Sequence, residues 1–113
     1  MLTVEKLRAF GANVDEGLER CMGNESFYLR MVKLAFSDAN FDKLARAAEN
    51  DDAKAGFEAA HALKGVLANL AITPVCTPVS ELTELLRSSR SVDFRTAARG
   101  ILDLRAVLAS LDD

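Results

Sequence analysis

Apolar residues recur every three or four positions along almost the entire chain. This spacing places them on one face of an α-helix, whereas a half-buried strand alternates apolar and polar residues. Ala and Leu are abundant, Trp is absent and only two Pro occur, so the composition also favours helices over strands. We therefore expect an all-α fold.

Capping residues and glycines divide the N-terminal part into two short helices. The first is predicted from Thr3 to Phe10, and Gly11 breaks it. Asn13, followed three residues later by Glu16, resembles a capping box that opens the second helix. Gly23 then ends it.

Two longer helices are predicted next. Asn24 can cap a helix that ends near Phe36, and either Ser37 or Asp38 can cap the one that follows. The shared apolar face of the first is predicted to carry Phe27, Met31, Leu34 and Ala35. The second carries Phe41, Leu44, Ala45 and Ala48.

The C-terminal half predicts three further helices. One runs from about Ala53 to Ala71, although each of its two glycines weakens it by about 1 kcal/mol relative to Ala. The next begins at either Thr73 or Thr77, because each precedes a Pro, and it ends near Ser88. Asp93 should cap the last helix. Its apolar stripe comprises Phe94, Ala97, Ile101, Leu104, Val107, Leu108 and Leu111.

These segments predict one domain over residues 1–113. Four longer amphipathic helices joined by short loops most naturally form an up-and-down antiparallel four-helix bundle, here with short extra N-terminal helices. A single closed core makes a monomer the expected state.

Charge and cysteine usage exclude several functions. The chain has 14 basic and 17 acidic residues, interspersed rather than blocked, so it offers no surface for nucleic acid. No apolar run reaches the roughly 18 residues of a membrane span, and we expect a cytoplasmic protein. Cys21 and Cys76 lack metal-ligand spacing and are expected to be reduced thiols.

The position of His61, the sole histidine, is the most informative feature of the long helix. The buried face of that helix is predicted to carry Gly56, Ala59, Ala60, Leu63, Leu67 and Leu70. At about 100° per residue, His61 points about 150° away from the centre of this face. His61 is therefore predicted to face solvent.

The residues around His61 differ from an ordinary exposed helix face, which carries long charged side chains. The outer surface is predicted to carry Lys54, Phe57, Glu58, Lys64, Gly65 and Ala68. Small and apolar residues beside an exposed imidazole suggest a surface that receives another molecule. Gly65 removes a side chain that would crowd a group on the ring, and Lys64 is a candidate partner for an anion.

The segment from His61 to Ala71 resembles the signature of histidine-containing phosphotransfer (Hpt) domains, which is His-x-Leu-Lys-Gly and commonly a later Asn-Leu-Gly. The agreement covers His61, Leu63, Lys64, Gly65, Asn69 and Leu70. Ala71 replaces a frequent Gly and Val66 a frequent Ser, but neither change removes a group that the chemistry needs. The segment from Gly23 to Phe36 is also similar to a long helix of the family.

The resemblance implies a phosphocarrier without turnover of its own and without a cofactor of its own. His61 would accept a phosphoryl group from the aspartate of a response-regulator receiver domain, such as that of a hybrid sensor kinase, and pass it to another receiver. Lys64 would offset the phosphoryl charge, and Gly65 would leave room. The receiver would hold Mg²⁺ and dock on Lys54, Phe57, Glu58 and Ala68.

Two other kinds of helical bundle fit less well. The dimerisation module of a sensor histidine kinase typically has an acidic residue directly after its histidine, where this chain has Ala62. An adaptor that binds a receiver without being phosphorylated would not need His61, Lys64 and Gly65 together. An independent enzyme lacks support, because no nucleophile, carboxylate pair or phosphate-binding loop accompanies the histidine.

Overall fold

The structure is a computed structural model of the 113-residue chain and describes residues 1–88 and 93–113. These two stretches contain helices and no strands, which confirms the all-α prediction. The helices are α1 (Val4–Phe10), α2 (Val14–Arg20), α3 (Glu25–Phe36), α4 (Ala39–Glu49), α5 (Ala53–Asn69), α6 (Thr73–Arg87) and α7 (Phe94–Ser110).

Side-chain caps set the start of every one of these helices except α6. In each case an oxygen accepts a hydrogen bond from a backbone N–H of the first turn, which otherwise has no partner. The capping residues are Thr3, Asn13, Asn24, Asp38, Asp52 and Asp93. Of the two candidates for α4, Asp38 is the cap, and Thr3 lies just before α1 rather than within it.

Helix α6 begins at the first of its two candidate positions, Thr73. Its N-cap is Ile72, which makes no side-chain hydrogen bond, and Pro74 occupies the first turn, where its missing N–H is harmless. Pro78 lies inside the helix and does not interrupt it. Val75 and Val79 are fully buried around Pro78, and this packing holds the helix continuous.

Helices α3 and α4 lie end to end along α7 and run antiparallel to it. Lys33 in α3 pairs with Asp112 just after α7, at 3.6 Å between Nζ and Oδ1. Arg95, at the start of α7, donates to the carbonyl of Glu49 at the end of α4. Arg105, between these points, bonds a carbonyl at the end of α3 and covers an aromatic ring of α4. The α3–α4 pair therefore forms one side of the bundle.

The other sides of the bundle are α5, α6 and α7. Helix α5 packs between α4 and α6, and α7 closes the bundle against α4 and α6. The connections from α4 to α5 and from α5 to α6 are only three residues long, so consecutive helices reverse direction. The predicted four-helix bundle with extra N-terminal helices is confirmed. None of the helices in the described stretches is long and apolar enough to cross a membrane.

The short helix α2 fixes the end of the bundle where α5 terminates. Tyr28 is fully buried, and its hydroxyl donates to the carbonyl of Leu70 at 3.1 Å. A β-carbon at Gly17 would lie only 2.5 Å from the Tyr28 ring. The absence of a side chain at Gly17 lets α2 pack closely against the Tyr28 ring, and α2 therefore covers this end of the core.

The predicted buried face of α5 is confirmed, whereas the apolar face predicted for α3 is mostly not the buried one. All six predicted α5 residues are buried. In α3 the buried residues are Tyr28, Val32 and Ala35, and only Ala35 belongs to the predicted face. Phe27 is 40% and Leu34 60% exposed, and Met31 is half-buried. Two parallel apolar stripes lie side by side on α3, and periodicity alone does not identify the one that packs inward.

The stripe predicted for α7 needs one correction. Val107 is 50% exposed, whereas Ala98, outside that stripe, is buried. Phe94, Ile101 and Leu108 are buried as predicted. The buried stripe of α7 is therefore narrower than the apolar stripe in its sequence.

Candidate functional site

His61 stands on the exposed outer face of α5, as its position in the helical repeat predicts. Its neighbours Ala59, Ala60 and Leu63 point into the core and are almost completely buried. They fix the rotation of α5 about its axis, and that rotation carries the imidazole outward. The site is therefore a ridge on the bundle surface rather than a cavity.

An aromatic stack orients the imidazole. The rings of Phe57 and His61 lie 5.6 Å apart between centroids and are inclined by only 5°. Phe57 is itself half-buried, and the guanidinium of Arg87 in α6 lies 5.2 Å from its ring centroid. Phe57 thus supports one face of the imidazole, which keeps its exposed edge available to solvent.

The side of the ridge that faces α6 is charged. Lys64 is displaced from His61 by about 60° around α5, towards this side. Its Nζ lies 3.8 Å from Oε1 of Glu84, and the other carboxylate oxygen lies 3.5 Å from Nε of Arg87. Glu84 therefore connects the lysine beside His61 to the arginine that covers Phe57.

The opposite side of the ridge is open and largely apolar. Gly65 is displaced from His61 by about 40° in the other direction. No atom would lie within 4 Å of a β-carbon added at Gly65, apart from its own helical neighbourhood. Gly65 and Asn69 border a groove whose far wall is formed by Met31 and Leu34 of α3. The space predicted beside the ring is therefore present.

The remaining sequence-predicted residues extend along the same face of α5. Lys54 lies two turns before His61 and Ala68 two turns after it, and both are exposed, as is Glu58. The carbonyl of Ala68 accepts a hydrogen bond from Arg20 of α2 at 2.6 Å. Of the predicted docking residues, Phe57 stacks on the imidazole, and Arg87 partly covers the Phe57 ring.

Sequence reasoning missed four residues that border the site. Glu84 and Arg87 belong to α6, and nothing in the local sequence connects them to a histidine on α5. Met31 and Leu34 belong to the predicted apolar face of α3, but periodicity alone does not show that this face borders His61. A second apolar stripe lies one residue further along α3, so the sequence allows two choices for the buried face.

The comparison with protein families identifies the family of the chain. Residues 30–113 match the Hpt domain family. This chain belongs to that family. The match includes His61 together with Lys64 and Gly65, and the resemblance drawn from the sequence is confirmed. Neither the curated proteins nor the solved structures give a match to the chain.

Membership fixes the general role of this Hpt domain. Hpt domains transfer phosphoryl groups through histidine in phosphorelays, interact with receiver domains, and are generally phosphocarriers rather than catalytic enzymes. The site geometry agrees with that role, because it presents one oriented imidazole on an open ridge. In residues 1–88 and 93–113, no cluster of three His, Cys, Asp or Glu side chains could hold a metal ion.

Proposed function

We propose that this Hpt domain accepts a phosphoryl group on His61 from the aspartyl phosphate of one receiver domain and delivers it to the aspartate of another. The observation that carries the proposal is the exposed imidazole of the only histidine, stacked on Phe57 and bordered by the space at Gly65. Reversible loading of this ring makes the protein a carrier between two receivers.

The chemistry asks little of this chain. An unprotonated imidazole nitrogen attacks phosphorus, a P–N bond forms, and the P–O bond to the aspartate breaks to release a carboxylate. The attacking nitrogen carries no proton, so no base is needed to remove one. Phosphoryl transfer depends mainly on alignment and charge stabilisation. Phe57 supplies alignment by stacking, and Lys64 supplies positive charge one helical turn from the ring.

The groove between α3 and α5 is the surface that we assign to the receiver. Its Leu34 side chain is exposed and Met31 is half-buried, and Gly65 lets a partner approach the ring closely. The charged side chains Lys54 and Glu58, with Ala68, extend the contact along the outer face of α5. A partner seated there meets apolar surface beside the imidazole and charge at the edge, as in other specific interfaces.

The receiver completes the site in this proposal. It supplies the aspartate and the Mg²⁺ ion that its own acidic pocket holds, and this chain supplies the nucleophile. We expect the Hpt domain to act as a monomer in the cytoplasm, with response regulators or the receiver of a hybrid sensor kinase as partners.

The decisive experiment is incubation with phosphorylated candidate receivers, followed by detection of label on this protein. Wild type is expected to become labelled and His61→Gln to remain unlabelled. Lys64→Ala should slow transfer or shorten the lifetime of the phosphoprotein with little change in melting temperature, because the ion pair that it removes is partly solvent-exposed and contributes little to stability.

The opposite results would each mean something definite. Undiminished labelling of His61→Gln would remove His61 from the mechanism. Receiver binding without labelling of the wild type would instead support the adaptor function. A large fall in the melting temperature of Lys64→Ala would assign that lysine a structural role.

A further inference from the structure

Lys64 does not lie free beside His61 in the unphosphorylated protein, because its ammonium is paired with Glu84 of α6. We infer that Glu84 sets how strongly the protein retains a phosphoryl group on His61, by competing with that group for Lys64. This inference rests on the proposed function, and it adds a positioning residue that lies outside the His-x-Leu-Lys-Gly motif.

The geometry makes Lys64 a shared cation. Its Nζ lies 3.8 Å from Oε1 of Glu84, and Lys64 leaves the helix one turn after His61, on the α6 side of the ridge. A phosphoryl group carries about −1.5 to −2 charge at neutral pH, against −1 for a carboxylate. The ammonium is therefore expected to leave Glu84 and pair with the phosphoryl oxygens once His61 is loaded.

Arg87 allows this exchange without leaving the Glu84 carboxylate unpaired. Its Nε lies 3.5 Å from Oε2 of Glu84, on the oxygen that does not face Lys64. After Lys64 moves, Glu84 keeps a cationic partner on its own helix. The same guanidinium covers Phe57, which supports the imidazole, so the exchange leaves the aromatic stack in place.

The carboxylate of Glu84 consequently favours the unloaded state in two ways. It pairs with Lys64 before loading, and it continues to compete with the phosphoryl oxygens for Lys64 after loading. Both groups of the pair are partly solvent-exposed, at 38% and 58% of their side chains, so water weakens the effect. Removal of the charge by Glu84→Gln should lengthen the lifetime of phosphorylated His61 about two- to fivefold, the range of exposed ion pairs.

The test loads His61 chemically with phosphoramidate. In this reaction the P–N bond of the reagent breaks, ammonia leaves, and a new P–N bond forms to the imidazole. The rate of phosphohistidine hydrolysis is then measured by ³¹P NMR for wild type and Glu84→Gln. A second measurement gives the equilibrium distribution of phosphoryl groups between this protein and a receiver, which should shift towards Glu84→Gln by a similar factor.

Glu81→Gln is the matched control, because Glu81 lies one turn earlier on α6, is exposed, and changes the net charge equally. It should behave like wild type. The effect of Glu84→Gln should also vanish in a Lys64→Met background, since Glu84 acts through that lysine. High salt should reduce the difference between wild type and Glu84→Gln.

Several results would overturn the inference. A lifetime for Glu84→Gln equal to or shorter than that of wild type would show that Glu84 does not compete for Lys64. An equal effect in the Lys64→Met background would show that it acts by another route. Chemical loading needs no receiver, so this test stands even if every receiver fails to label wild type, which is the result that would refute the proposed function.

Discussion

Replacement of Gly65 by Ala should raise stability and lower the transfer rate in the same molecule. No neighbour would lie within 4 Å of the new β-carbon, and Ala is favoured over Gly in a helix by about 0.5–1 kcal/mol. Unfolding entropy of about 2.1 cal/mol/K per residue over 113 residues converts this gain into a rise of about 2–4 °C in melting temperature. Glycine at position 65 therefore makes the protein less stable than alanine would.

The same methyl group should slow phosphoryl transfer, because it would obstruct a docked receiver. Interfaces pack as densely as protein cores, where one extra methylene typically costs about 1–3 kcal/mol. Transfer from a phosphorylated receiver should therefore slow at least fivefold in Gly65→Ala, and more in Gly65→Gln. Rapid-quench measurement of label transfer, paired with thermal unfolding, gives both quantities.

Gly100 provides the matched control, because it is a helical glycine in α7 whose added β-carbon would also meet open space. Gly100→Ala should gain similar stability and transfer at the wild-type rate. The reasoning would be refuted if Gly65→Ala melted below wild type, or if it transferred as fast as Gly100→Ala. The first result would mean that the space at Gly65 is filled, and the second that no partner uses it.

Three further predictions follow from packing and burial. Gly56→Ala should lower the free energy of unfolding by about 1–3 kcal/mol in denaturant titration, because its β-carbon would overlap the Phe94 ring; unchanged stability would show that this ring moves aside freely. Leu34→Ser should weaken receiver binding about fivefold in calorimetry while Val107→Ser, another exposed apolar position, leaves it unchanged; equal effects would place docking elsewhere. Burial raises the pKa of Tyr28 to about 12, above the usual value near 10, so its stabilising contribution is complete below pH 10 and is lost as the pH rises through 12. The melting temperature should therefore fall more steeply over that range in wild type than in Tyr28→Phe, and parallel curves would contradict this.

The two sides of the His61 ridge suggest different tasks. The α6 side holds the charged side chains of Lys64, Glu84 and Arg87, which we propose influence a phosphoryl group on His61. The α3 side holds an apolar groove beside Gly65, which suits recognition of a folded partner. Substitutions on the α6 side should therefore change phosphoprotein lifetime, while those on the α3 side should change affinity for receivers.

Much of the fold was predictable because local chemistry sets helix ends. Asn13, Asn24 and Asp93 cap their helices as predicted, since each side chain satisfies a backbone N–H of the turn that follows it. The rotation of α5 was predictable for a similar reason. Its small and apolar residues share one narrow arc, so only one face can enter the core, and His61 must lie outside it.

Tertiary packing decided what the local sequence left ambiguous. On α3, two adjacent stripes compete for the core, and the stripe with Tyr28 enters because Leu70 accepts its hydroxyl hydrogen bond in the interior. The continuity of α6 through Pro78 likewise depends on buried neighbours. Glu84 could be placed beside Lys64 only by the fold, because the two residues lie on different helices. The sequence by itself determined where the helices begin and which way His61 faces, since those depend on neighbours along the chain. Which side chains meet across helices depends on how the helices pack, and only the tertiary structure decided that.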